Sequence, residues 1–537
     1  MKKLLFIILL SIQVICSHAN NIQVTNVVLQ PATSTVQFTV SWDNGWRSSI
    51  LNNWDAAYVF MKYKDIDGRW KVLNFTNVGD VVPAGFSSTF NAFTGTFLYR
   101  NSVGSGTTTI TNVRLGANAS FVSGIYDIKI FAIEMVYIPQ AEYFLGDAFS
   151  GNAFSGNRMT ANIPIGSGST YSPLYNVIDP LLFVYSPPPL SLNSITTTFA
   201  GISFPAGYYP YYIMKYELSQ GGYRDFLNTL TYNQQINHTL NPPSSSIGSG
   251  ALVATPGTNR NYLEVKTSGT ASTLPAVYGC DANNNNVYDE PSDGEWVACN
   301  FVNWPDMAAY LQWAGLRPIT EMEYEKAARG IQLPVAGEYA WGNTNITTPI
   351  FALANPSQNS ETISNLSTSF GNANYSSTYP NSPLSGPIRN GIFATATSNR
   401  VTSGGSFYGV MEMSGNLFER VVSPVPIPTD GGGGIGFIVY TNNAPTFASE
   451  LNLIGYYNSN PTISVNWPGE NQTGAYNSSR IIDGTSPAYG LIDRGGSFLS
   501  PVQELSISYR TFSQFYTSSG IVRDAVHGIR GGKSAPL

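Results

Sequence analysis

Leu491-Ile492-Asp493-Arg494-Gly495-Gly496-Ser497-Phe498 is the stretch around which the rest of this chain can be organised. Paired glycines after an arginine, and before a hydroxyl and an aromatic, predict a tight turn with positive φ that another segment approaches closely. In an enzyme, a nucleophile or metal ligand would be expected just downstream. The next residues are Leu499-Ser500-Pro501-Val502-Gln503-Glu504-Leu505, with neither Cys nor His. The turn therefore reads as framework.

Further back, Arg317-Pro318-Ile319-Thr320-Glu321-Met322-Glu323-Tyr324-Glu325 opens a helix that Thr320 caps. Glu323 closes a capping box and Gly330 sits past the helix end. An earlier helix begins at Asn303-Trp304-Pro305-Asp306, with Pro305 in its first turn and Gly315 as its stop. Another comes after Lys215-Tyr216-Glu217-Leu218-Ser219, where Ser219 is the cap and Tyr223, Phe226 and Leu227 share one face. Met135 to Gly146 reads as a strand, a Pro-marked turn and a second strand. To these are added Ala340-Trp341-Gly342, Tyr408-Gly409-Val410-Met411-Glu412-Met413-Ser414-Gly415-Asn416-Leu417-Phe418-Glu419 and Gly528-Ile529-Arg530. Taken in this order, the segments resemble the formylglycine-generating, sulfatase-modifying enzyme family, with Arg494 to Phe498 similar to its RGGSW. The resemblance runs from about Ile133 to the C-terminus. It implies a C-type-lectin-like fold with little regular secondary structure.

The resemblance also implies a chemistry that this chain lacks the side chains to perform. Enzymatic members of the family bind copper through two cysteines after the RGGSW turn and oxidise a substrate cysteine. Soft thiolates are what hold Cu(I). Ser500 stands in the place of the first cysteine, and Leu505 or a neighbour in that of the second. No catalytic residue is carried over, and copper is not expected. Iron is not expected either, because His238 and His527 are too few for the three-His site that another branch of the fold accompanies. No nucleophile-elbow motif frames a hydrolytic triad.

Calcium is expected. The family's GLyDMaGNVWE loop maps its ligands onto the side chains of Glu412 and Glu419 and the carbonyls of Gly415 and Leu417, oxygen donors suited to a hard cation. Independently of the family, Asp281, Asn283, Asn285 and Asp289 fall at positions one, three, five and nine of a calcium-loop pattern. Asn286 takes the glycine position, and Ser292 at position twelve leaves Glu290 or Asp293 to complete the shell. A solvated polar loop is the alternative.

Upstream, period-two alternation at Ile22-Val24-Asn26-Val28 and Val36-Phe38-Val40-Trp42 predicts half-buried strands, and Ala57 to Tyr63 a strand in a sandwich core. Trp70 to Leu73, Thr96 to Arg100, Thr108 to Leu115 and Ile125 to Ile133 bring the count to about seven, as in an immunoglobulin-like or fibronectin-like sandwich. Trp42, Trp46 and Trp54 are expected as packing. The fold class is thus α+β and β-rich. It comprises a sandwich over residues 20–132 and a sulfatase-modifying-factor-like domain over 133–537, with insertions near 147–205, 235–297 and 425–485.

The composition agrees with an exported protein. Charged residues are 11% of the 537, against about 25% ordinarily. A net charge of −6 gives no electrostatic footprint for nucleic acid. Lys2, Lys3 and the apolar run Leu4 to Ile15 predict a signal peptide over residues 1–19, cleaved after Ser17-His18-Ala19. Lipidation at Cys16 is the alternative. No later segment is apolar for long enough to span a membrane. Export would place Cys280 and Cys299 in an oxidising compartment, where a disulfide is expected in preference to two buried thiols, worth about 3 kcal/mol.

These features predict an exported, calcium-stabilised binding or structural protein. Its ligand surface would include Arg494, Ser497, Phe498, Ser500, Gln514, Phe515 and Tyr516, and its partner would be a protein or glycan at the cell surface. The alternatives are a formylglycine-generating oxidoreductase acting on protein cysteine and an envelope subunit of gliding or secretion machinery.

Overall fold

Alternating apolar residues in the N-terminal part become nine strands. They are β1 (Gln23–Gln30), β2 (Thr35–Ser48), β3 (Asn53–Lys64), β4 (Trp70–Leu73), β5 (Phe75–Val81), β6 (Phe86–Asn91), β7 (Gly95–Arg100), β8 (Gly104–Ala117) and β9 (Ile128–Ile138). The structure is a computed structural model that describes residues 21–64, 68–91, 95–118, 127–147, 155–159, 207–422, 491–510 and 523–535. The expected leader with Cys16, the residues Gln514, Phe515 and Tyr516, and most of the expected insertions near 147–205 and 425–485 lie outside the described residues.

The two layers of a β-sandwich meet at one corner. β2 pairs with β3 only through Arg47↔Trp54 and Ser48↔Asn53, while its remaining length pairs with β8 and β1. Val36, Phe38, Val40 and Trp42 of β2 then face Ala57, Val59 and Met61 of β3 across a closed core. The other face of β3 carries Ala56, Tyr58 and Phe60, which pack into a second core built with the C-terminal part. Burial on both faces is why this strand is a continuous apolar run rather than an alternating one. β5 and β6 were not among the expected strands. Gly79 and Asp80 break the pattern of β5, and its pairing with β8 shifts register between Thr76 and Val81.

One sheet continues through both parts of the chain. The further strands are β10 (Tyr143–Gly146), β11 (Ser155–Met159), β12 (Tyr211–Met214), β13 (Leu263–Thr267), β14 (Val277–Cys280), β15 (Arg317–Pro318), β16 (Leu353–Ala354), β17 (Thr362–Ile363), β18 (Phe418–Val422), β19 (Leu491–Arg494), β20 (His527–Gly528) and β21 (Gly531–Ser534). Among the described residues four α-helices lie between them: α1 (Gln220–Leu227), α2 (Tyr232–His238), α3 (Trp304–Ala314) and α4 (Glu321–Arg329). β9 pairs with β3 from Ile128 to Val136, and with β12 from Met135 to Ile138. β12 continues to β21 and β15, giving a twelve-stranded sheet in the order β15-β21-β12-β9-β3-β2-β8-β5, with β1, β4, β6 and β7 branching from it. The expected junction between residues 132 and 133 lies within β9.

The helix ends follow the capping chemistry in the sequence. Ser219 accepts from Gly222 N at the start of α1, and Asn303 and Thr320 each form a capping box, with Asp306 and Glu323. Gly315 ends α3 in the left-handed region at φ 71°. Among the described residues no helix is long and apolar enough to cross a membrane.

Aromatic side chains hold the helices of the C-terminal part against the N-terminal sheet. The Trp313 ring meets Phe60 at 5.0 Å and Phe131 at 4.7 Å, and its Nε1–H donates to Thr229 Oγ1 at 2.8 Å. Phe97 stacks on Tyr212 at 3.6 Å and Trp54 on Tyr137 at 4.1 Å. Two buried lysines lie at the same seam: Lys62 Nζ donates across it to Trp313 O at 2.7 Å, and Lys533 Nζ donates to Gly315 O at 2.6 Å and reaches Tyr58 Oη at 3.5 Å. Burial pushes the pKa of both down to about 7. Trp313→Ala should therefore cost about 3–5 kcal/mol, read as a lower urea midpoint of the full chain. A loss below about 1 kcal/mol would show that the seam contributes little.

Candidate functional site

The glycine turn is built as the sequence predicts, but its side chains point inward. Arg494 ends β19, opposite Glu419 of β18. Gly495 and Gly496 come next at φ 86° and 73°. A Cβ on Gly496 would lie 2.8 Å from Leu505 Cδ1, and one on Gly495 would lie 3.1 Å from Tyr324 Oη. The Arg494 guanidinium donates through Nη1 to Ile507 O at 2.8 Å and Tyr509 O at 3.0 Å. Through Nη2 it donates to Glu325 Oε1 at 2.7 Å and Glu321 Oε2 at 3.3 Å. Arg510 pairs with Glu321, and Arg329 with Glu325 and Glu338, extending one buried ionic network beneath α4.

This geometry corrects the expected ligand surface. Arg494, Ser497, Phe498 and Ser500 are all buried, while Leu499 between them is 49% exposed. A guanidinium can be buried here because carboxylates and carbonyls surround it, and those same partners withdraw it from any ligand. Ser500 Oγ accepts from Ser497 N at 3.0 Å and closes the turn. Leu505 packs with Tyr339, Trp341, Ala373 and Tyr375. A hydroxyl engaged in a turn and an alkyl group in an aromatic cluster do not fit a copper ion, which wants thiolate.

A buried acidic cluster includes Glu419 of β18, the residue paired with Arg494. Glu412 Oε1 accepts from Gly391 N at 2.7 Å, and Glu419 Oε1 accepts from Arg530 Nε at 2.5 Å. The second oxygen of each carboxylate is buried with no hydrogen-bond partner. Glu217 reaches the same loop from the segment after β12, accepting from Leu417 N at 2.9 Å and Asn416 Nδ2 at 2.5 Å. Arg530 also donates to Met214 O and Met411 O. Burial pushes Glu412 and Glu419 up to about 7, against the opposing pull of Arg530. Burial likewise raises Glu217 well above the usual carboxylate range. Two orphaned carboxylate oxygens suit a hard cation, whose charge would replace the protons. Glu217 and Arg530, which shape this loop, were missed as site residues. Their signal was the acid in Lys215-Tyr216-Glu217 and the arginine that closes Gly528-Ile529-Arg530.

The loop after β14 is organised differently from expectation. Asp281 accepts from Asn285 N at 3.0 Å and Asn286 N at 2.9 Å, and Asn286 has the expected positive φ of 62°. Asn283 Oδ1 and Asn285 Oδ1 accept from Asn285 N and Val287 N. Asp289 turns away to Arg224 at 2.8 Å and Lys266 at 3.0 Å. Burial opposes its charge, but Arg224 outweighs burial and holds its pKa below the usual range. Asp289 is thus drawn away from the local turn that Asp281, Asn283 and Asn285 form. Among the described residues no three His, Cys, Asp or Glu side chains form a metal-binding group.

The expected disulfide also needs correction. Cys280 and Cys299 are free and fully buried in the same apolar cluster. Burial raises both thiol pKa values, so they pack as small protonated hydrophobes. The histidines are likewise engaged: His527 lies between Asp493 Oδ2 at 2.6 Å and Asp524 Oδ1 at 2.5 Å, and His238 Nδ1 is 3.0 Å from Asp306 Oδ1.

With this geometry in hand, comparison with known proteins gives one family. The model described as "Sulfatase-modifying factor enzyme 1-like domain" matches residues 206–521. No curated protein matches the chain. Among solved structures it is similar to Treponema denticola variable protein 1, at 12% identity over 75% of this chain and 96% of that one, with a TM-score of 0.29.

The acidic cluster has a pH signature. The folded pKa of about 7 for Glu412 and Glu419 lies above the ordinary 4.5, so the folded state holds protons more tightly than the unfolded one. Their stabilising contribution is present below about pH 4.5 and is lost as pH rises through about 7. In EDTA, the urea midpoint should fall across that window. Glu412→Gln, which keeps the acceptor for Gly391 N, should flatten the fall; an unchanged slope would mean that Glu412 does not titrate there.

Proposed function

The chain belongs to the sulfatase-modifying factor enzyme 1-like family, and on that premise we propose that it is an exported, non-catalytic binding or structural protein whose lectin-like part is stabilised by calcium. The observation that carries this reading is the fate of the two copper positions. Ser500 closes the turn and Leu505 fills an aromatic cluster, so neither offers a thiolate. Cys280 and Cys299 are buried in a different cluster.

Calcium is supported by the orphaned oxygens of Glu412 and Glu419. These two side chains, with the carbonyls of Gly415 and Leu417, would hold the ion, and the ion would supply charge neutralisation rather than reaction chemistry. Export is supported by the Lys2-Lys3 start and the apolar run after it. A protein or glycan partner would meet the exposed rim of the turn at Leu499 rather than the buried Arg494, Ser497, Phe498 and Ser500, and Gln514, Phe515 and Tyr516 belong to that surface on the sequence reading alone.

Two measurements test the reading. Calcium at about a hundred times its Kd should add about 2.7 kcal/mol, read as a higher melting temperature that EDTA reverses and that Glu412→Gln lacks. An identical melt with and without EDTA would remove the calcium claim. Anaerobic Cu(I) titration followed by oxygen should give no stoichiometric copper and no oxidation of a cysteine-containing peptide. Stoichiometric copper with oxygen-dependent turnover would overturn the non-catalytic reading.

A further inference from the structure

Where the N-terminal sheet joins the C-terminal part, a buried lysine lies between two buried carboxylates. Lys215 comes directly after β12, and its Nζ is 2.8 Å from Asp55 Oδ2 on β3 and 3.0 Å from Glu134 Oε2 on β9. The three side chains are 4%, 1% and 1% exposed. β12, β9 and β3 are neighbours in the sheet, so the strand order itself brings the groups together. Lys215 N donates to Glu134 O at 2.9 Å, and Glu134 pairs with Ala57, two residues from Asp55 on the same strand face.

The two acids are held in unlike ways. Both oxygens of Asp55 accept further hydrogen bonds, Oδ1 from Trp46 N at 2.7 Å and Oδ2 from Trp42 Nε1 at 3.3 Å. Glu134 has one oxygen on the ammonium, while its Oε1 is buried without a hydrogen-bond partner. Asp55 is thus a carboxyl whose developing negative charge would meet fixed donors, the arrangement that favours addition to its carbon. Glu134 has an oxygen free to take a proton.

We propose that Lys215 and Asp55 condense into a side-chain amide, with Glu134 relaying the protons. Glu134 takes one proton from the ammonium, and the freed amine lone pair attacks Asp55 Cγ. Charge gathers on Oδ1 against Trp46 N–H, and Oδ1 becomes the amide oxygen. The Cγ–Oδ2 bond breaks as Oδ2 receives two protons through Glu134, one from the ammonium and one from the adduct nitrogen. One ammonium and one carboxylate give one amide and one water, Glu134 ends as it began, and no oxidant or cofactor is needed.

The resting form is the ion pair. Burial opposes the Lys215 charge, but Asp55, Tyr216 and Glu134 outweigh burial and raise its pKa. The relay suits the step because burial brings Glu134 to about 7, where both of its protonation states are populated near neutrality. Proximity supplies much of the remaining drive, since both reactants are already fixed in contact. Glu134, Met214 and Tyr216 line a cavity of about 270 Å³, which gives the released water a way out. The product would tie β3 covalently to the segment after β12, so the shared sheet could not open at that point.

Peptide mapping by mass spectrometry on the purified, denatured full chain tests this directly. The expected result is a branched peptide joining the Asp55 and Lys215 segments, lighter than their sum by one water, in nearly all wild-type molecules. It should be absent from Lys215→Arg and from Glu134→Gln. Asp55 and Lys215 recovered on separate, unmodified peptides in the wild type would overturn the proposal, as would an amide from Lys215 to Glu134. A Glu134→Gln chain that is still fully cross-linked would overturn the relay. The wild-type map decides the bond whether or not a variant folds.

Discussion

A guanidinium shut away from water must be surrounded by acceptors, and Arg494 is given four: two carbonyls and two carboxylates. The acceptors come in pairs from two separate parts of the chain. Glu321 and Glu325 belong to α4, while Ile507 and Tyr509 belong to the segment after the turn, and Arg494 itself is paired to β18. The two glycines after it are needed because Leu505 and Tyr324 close in on a backbone at positive φ. Removing either charge would leave its partners buried and uncompensated, so the network behaves as a unit.

That unit holds two other features in place. β18 carries Glu419 on the acidic-cluster side, so the register that seats Arg494 also positions the candidate calcium loop. The C-terminal segment returns through Arg530, which neutralises Glu419 before the chain enters β21 and joins the shared sheet. The cluster of three raised carboxylates and the sheet that bridges both halves of the chain are therefore coupled through a few residues near the C-terminus.

Much of this was legible in the sequence, for local reasons. The caps at Ser219 and Thr320 and the glycine stop at Gly315 act within a few residues, and their chemistry is written in the residue types. The order of family-like segments pointed to the C-terminal fold. What could not be read was burial and partner choice. Arg494 and Ser500 have the composition of a polar surface, but their partners lie on α4 and within the turn. Asp289 fits a calcium-loop position by spacing, yet Arg224, 65 residues away in the chain, claims it. The cysteines looked like a bridge by count and compartment, and only packing showed them as separate hydrophobic groups. The continuous sheet through β9 was hidden because pairing with β12 is a long-range choice that no local pattern encodes.

The central claim is that the glycine turn is a structural hub rather than a reactive or ligand-contacting site. Arg494→Met in the full chain, followed by urea unfolding, tests it most directly. The account predicts a loss of about 3–5 kcal/mol, because Glu321 and Glu325 would be left buried without their shared cation. A change within about 0.5 kcal/mol, as for an ordinary surface substitution, would contradict it.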